Sequence, residues 1–156
     1  MRVTQQIEAF WHEFLTTRPD LPAGTRYYEA FMFGNGGELA AECAAAVLAG
    51  EKTATSGLLW ALDAAEERPP RPGDFSIVLD EHGKPVCVIE TIEASVRRFD
   101  EVDEQFAWEY GEGERTLSWW RNALWSYYAR ECAQHGWKPS ERMPLVCERF
   151  RVVYQP

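Results

Sequence analysis

The stretch that most constrains the fold runs from Leu39 to Ser56, because the chain changes its period there. Leu39, Cys43, Ala46 and Val47 recur at helical spacing, and past Gly50 the segment Lys52-Thr53-Ala54-Thr55-Ser56 reads as extended. Gly50 is placed to take the left-handed conformation that closes a helix. In a strand, Thr53 and Thr55 face one way and Lys52, Ala54 and Ser56 the other; a twist or bulge at the strand start would bring Lys52 beside Thr55. One cation and three hydroxyls therefore emerge next to a helix end. Such a group holds a phosphate or ribose or, with a desolvated and partly neutral Lys52, removes a proton. The same residues also read as a solvated β-turn after a helix.

The rest of the chain supplies a core around this switch. Ile7, Phe10, Trp11 and Phe14 form an amphipathic helix ended by Arg18-Pro19, and its two large aromatics would equally anchor a homodimer. Tyr28 to Phe33 is a short strand or extended arm, and Asn35-Gly36-Gly37 offers a cap for a second helix over Glu38 to Ala49. Phe75, Ile77 and Leu79 alternate with Ser76, Val78 and Asp80, the pattern of a strand with one buried face, and Glu81 to Lys84 turns it into a return strand from Val86 to Glu93. Glu90 and Glu148 lie among apolar neighbours, so each calls for an ion pair, with Lys52 or an arginine. Asp100 is placed to cap a short helix ended by Gly111, and Thr116 a long one from Leu117 to Gln134. Between them, Glu112-Gly113-Glu114-Arg115 is a flexible acidic loop able to aim a carboxylate into a cleft. On the long helix, Trp119, Asn122, Ser126 and Arg130 share a stripe suited to stacking on a base and holding phosphate, or to facing water. Pro144 to Tyr154 reads as the last strand. Helices and strands in this order predict an α+β domain with an antiparallel sheet.

Composition narrows the function. A length of 156 residues fits a single domain over 1–156, with 1–24 as a helical extension. A net charge of −9 argues against indiscriminate binding to long nucleic acid, since that affinity comes from surplus Lys and Arg, but it leaves room for a local basic cleft. Cys43, Cys87, Cys132 and Cys147 are widely spaced and read as reduced core residues, with no metal motif and no cofactor implied. With no secretory leader and no apolar run of membrane length, the expected location is cytoplasmic.

Gly50-x-Lys52-x-x-Thr55 resembles the Gly-x-Lys-x-x-Thr motif of the ASC-1 homology (ASCH) domain family in the PUA-like superfamily. Phe31 to Gly34, Arg71 to Phe75, Cys87 to Thr91, Glu112 to Arg115 and Leu145 to Phe150 are similar, in order, to segments of its longer bacterial members. Asn35 departs from the pattern, which more often shows aspartate there. The resemblance implies a small antiparallel β-barrel flanked by helices, with a cleft lined by the Lys52 segment that takes single-stranded RNA or a modified nucleoside. Longer members are associated with metal-independent cleavage of single-stranded RNA; in that reading Lys52 neutralises the phosphate, Ser126 and Arg130 position it, and a tyrosine or Glu112 handles the proton. Shorter members hydrolyse the amide of N4-acetylcytidine, which would make Lys52 the base, Thr55 the nucleophile and one of Glu109, Glu112 or Glu114 the third member. Thr53, Ser56, Trp119 and Asn122 complete the expected substrate contacts. A third reading is a non-catalytic RNA- or nucleotide-binding module.

Overall fold

A computed structural model describes residues 3–34 and 36–156; Asn35, expected to help cap the second helix, lies outside the described residues. The chain runs α1 (Val3–Thr16), β1 (Glu29–Met32), α2 (Gly37–Leu48), β2 (Ala54–Leu58), α3 (Leu59–Ala64), β3 (Phe75–Leu79), β4 (Pro85–Arg98), α4 (Glu104–Tyr110), α5 (Leu117–His135) and β5 (Pro144–Tyr154). The strands are hydrogen-bonded in the order β1-β3-β4-β5-β2. β3 pairs antiparallel with β4, and β2 with β5, but β1 pairs parallel with β3, so the sheet is mixed. The α+β, PUA-like architecture stands. The parallel pair arises because the segment from Met32 to Phe75 returns β3 to its neighbour through helices rather than through a tight turn.

The chain divides into two compact units, Met1–Gly50 with Pro70–Ile92 and Phe150–Pro156, and Glu51–Pro69 with Glu93–Arg149. In the first, Phe10, Trp11 and Phe14 of α1 pack with Phe75, Ile77, Leu79 and Val88. Cys43, Ala44 and Val47 of α2 pack with Val78, Cys87, Ile89 and Phe150. β3 is therefore buried at all five positions, a correction to the one-sided strand expected from its alternation, because each face carries its own helix. The α1 aromatics Phe10, Trp11 and Phe14 are buried in this core.

In the second unit Ala54 and Leu58 of β2, Phe106 and Tyr110 of α4, Trp120, Leu124 and Tyr128 of α5, and Leu145 and Cys147 of β5 form one cluster. α3, not expected from sequence, follows β2 directly, so Trp60 leaves the strand direction and packs from a helix. Asp103, not Asp100, caps α4: its carboxylate accepts from the Phe106 amide at 2.9 Å, while Asp100 sits in a 3-10 turn over Phe99–Glu101. The turn that consumes Phe99–Glu101 moves the helix start past Asp100. Gly111 at φ 68 and the Thr116 side chain close and open α4 and α5 as expected. The four cysteines are free and buried. Among the described residues no helix is long and apolar enough to cross a membrane.

Candidate functional site

α2 ends at Leu48, and Gly50 takes φ 77, the left-handed conformation its position called for. The chain then enters β2 through Lys52, whose side chain has no exposure at all. A buried ammonium is tolerated only with partners, and Lys52 has strong ones. Its Nζ donates to Ala54 O at 2.8 Å and Tyr110 O at 3.1 Å, pairs with Glu112 Oε2 at 2.8 Å, and lies 3.6 Å from the centre of the Tyr110 ring. Three N–H donors thus have three oxygens within reach, one of them charged. Glu112 is the more open member of the pair, its side chain 16% exposed.

The acidic loop is fixed rather than free. A Cβ on Gly111 would stand 2.2 Å from the backbone oxygen of Glu51, and one on Gly113 would stand 1.9 Å from the Trp119 ring, so only glycine lets the loop close onto these neighbours. Arg115, at φ 60, donates from Nε to Trp108 O at 2.9 Å and from its terminal nitrogen to Glu51 O at 3.0 Å, with its guanidinium 3.7 Å from the centre of the Trp108 ring. This clamp ties the loop to the residue preceding Lys52. Sequence reasoning saw the loop but not the clamp, because nothing local marks Arg115 as a left-handed residue.

Of the three glutamates that competed for the site, the structure brings only Glu112 to Lys52. Glu109 pairs with Arg149 at 2.8 Å, and Glu114 is exposed. Glu90, an alternative partner for Lys52, pairs with Arg151 at 2.9 Å. Thr53 is engaged by α4: its amide donates to Glu109 O at 2.8 Å. Ser56 shares hydrogen bonds with the Tyr128 hydroxyl at 2.6 Å and the Tyr110 hydroxyl at 3.1 Å. Burial, aided by the Glu112 charge, pushes the Tyr110 phenol well above its ordinary range, with Ser56 and Thr55 hydrogen bonds opposing that rise. Burial also raises Tyr128. Both phenols therefore stay protonated, and each can donate a proton into a hydrogen bond. Thr55 is half-buried opposite Glu148 in the β2–β5 register.

The α5 stripe lies elsewhere in chemical character. Asn122, Ser126 and Arg130 are exposed, and Trp119 is half-buried against the core and over Gly113. The contacts described for Lys52 come from Ala54, Tyr110 and Glu112 instead. Among the described residues no group of three His, Cys, Asp or Glu side chains is arranged to hold a metal ion.

Comparison with known proteins matches these features to a family. The sequence model of the ASCH domain matches residues 29–154. The crystal structure of an ASCH domain from Lactobacillus crispatus JV V101 is similar at TM-score 0.88 and 31% identity, covering 97% of this chain and 96% of that one. A crystal structure of a protein from Enterococcus faecalis V583 is similar at TM-score 0.88 and 29% identity, covering 97% and 90%. A third solved structure, at TM-score 0.51 and 18% identity over 80% of this chain and 96% of its own, shares the fold alone. No curated protein matches the chain.

Proposed function

This chain belongs to the ASCH domain family, a PUA-like fold associated with RNA binding, and on that premise we propose that it hydrolyses the amide of an acylated nucleobase such as N4-acetylcytidine. The observation that carries this reading is the buried Lys52–Glu112 pair, set just before the strand that carries Thr55. Thr55 Oγ1 attacks the acyl carbon while its proton passes to Lys52, made neutral for that step by a proton lodged on Glu112. The C–N bond breaks as the departing exocyclic amine takes the proton from Lys52. Water then attacks the acyl-Thr55 ester, releasing acetate and restoring the hydroxyl. Glu112, as the more open partner, admits the substrate. The test is incubation of purified protein with N4-acetylcytidine, reading cytidine and acetate by chromatography. Thr55→Ala should stop turnover and Thr55→Ser retain part of it; product formed equally by Thr55→Ala rules the reading out.

A second reading, cleavage of single-stranded RNA, draws on the exposed Asn122, Ser126 and Arg130 beside Trp119, a stripe open to a strand in a way that the sealed Lys52 is not. It predicts cleavage that persists in EDTA and is lost in both Ser126→Ala and Arg130→Ala. With neither product, the RNA-binding module remains.

A further inference from the structure

Trp60, Asp63 and Ala64 of α3 and Trp137 and Lys138 beyond α5 line an open groove of about 600 Å³. We propose that this groove is a second subsite, which takes one nucleotide of an RNA strand whose reacting residue sits at the Lys52 centre. The inference rests on the nucleic-acid reading above but on neither hydrolytic chemistry.

Size, shape and charge all point to that occupant. The volume lies within the range of roughly 300–1,000 Å³ typical of small-ligand sites, ample for a nucleotide. The two indoles meet edge to face, ring centres 5.9 Å apart at 76°, which gives the groove an aromatic wall. Trp137 already holds a flat heteroaromatic ring face-on: His135 stacks on it at 4.2 Å and 9°. Asp63 and Lys138, both exposed, give the rim one acceptor and one cation. A nucleotide carries the complement of each, an exocyclic amine on the base and a phosphate. A chain of net charge −9 draws little affinity from general phosphate attraction, so a nucleotide site on it has to rely on stacking, which costs nothing in charge and tolerates any base.

Position links the groove to the candidate centre. Trp60 follows Thr55 by five residues through β2, and an extended chain of that length reaches at most about 18 Å. A short oligonucleotide spans that distance.

Calorimetric titration with adenosine 5′-monophosphate tests the proposal. Wild-type protein should bind saturably, Trp137→Ala should weaken binding by about tenfold or more, and Trp137→Phe should recover most of it. Lys138→Gln, at an exposed position outside the core, should weaken the monophosphate several-fold and leave adenosine unchanged. Thr55→Ala, which removes the hydrolytic reading, should leave this binding intact. Absence of saturable binding, or wild-type affinity in both Trp137→Ala and Lys138→Gln, overturns the subsite. Loss in Thr55→Ala with no loss in Trp137→Ala places the nucleotide at the Lys52 centre and overturns it as well.

Discussion

Each compact unit holds a glutamate against a cation at nearly the same distance, and the two pairs do different things. In the first unit Glu90 meets Arg151 at 2.9 Å with the arginine side chain 64% exposed. In the second Glu112 meets Lys52 at 2.8 Å with the lysine side chain fully buried. The first pair gives a partly buried carboxylate a largely exposed arginine, which water also solvates, so the net gain is small. The second holds a charge inside the protein, where each partner exists only because the other does. The contrast makes the buried pair, and not the exposed one, the functional candidate.

Removing one partner of the buried pair is the most severe way to test the contrast. Glu112→Ala should lower stability by about 3–5 kcal/mol, read by urea unfolding, because it strands the Lys52 ammonium. Adding Lys52→Met to that background should recover a large part of the loss. If Glu112→Ala costs no more than a surface substitution, Lys52 is not held in the way described.

Raising the pH comes next, and it compares the units through their thiols. Burial raises Cys87, in the first unit, to about 12, whereas Cys147, in the second, rises only to about 11 because Arg97 and Arg149 oppose the effect of burial. Both folded values lie above the ordinary 9.0, so the native state keeps protons that the unfolded chain gives up. This stabilisation is complete below pH 9 and is lost as pH rises, first through about 11 for Cys147 and then through about 12 for Cys87. The loss is on the order of 2–3 kcal/mol for Cys147, and the buried Tyr110 and Tyr128 phenols push in the same direction above their ordinary value of 10.0. Urea midpoints at pH 8 and pH 11 measure it. Cys147→Ala should flatten part of the fall, and stability that increases over this range contradicts the assignment.

The smallest effect belongs to the exposed pair. Arg151→Ala should change stability by less than about 1 kcal/mol, measured in the same urea titration, and the change should shrink further in high salt. A cost approaching that of Glu112→Ala would erase the distinction between the two pairs.

Much of this architecture is written locally. The stop at Gly50, the cap at Thr116, the close at Gly111 and the last strand from Pro144 to Tyr154 depend on residues within a few positions of one another, and each was readable. Sequence placed the start of α4 at Asp100 and so missed the turn over Phe99–Glu101 that moves the cap to Asp103. It also missed α3, because Leu58, Leu59 and Trp60 fit a continuing apolar strand as well as a helix start. The site was readable by residue type and not by geometry. Lys52, Thr55 and the acidic loop stood out, while Thr53 and Ser56 proved to be held by Glu109 and the paired tyrosines. Nothing in their spacing announced those partners.

The sequence by itself determined the ends of α2 and α4, the start of α5, the α+β class and the presence of one cation among hydroxyls after Gly50. Only the tertiary structure decided that Glu112, rather than Glu109 or Glu114, reaches that cation, that both faces of β3 are covered, and that Trp60 and Trp137 meet across a groove. Local conformation is set by a residue and its near neighbours. The Lys52 to Tyr110 contact joins residues 58 apart, and such contacts depend on how β2 registers with β5 and on how glycine at 111 and 113 lets the loop close.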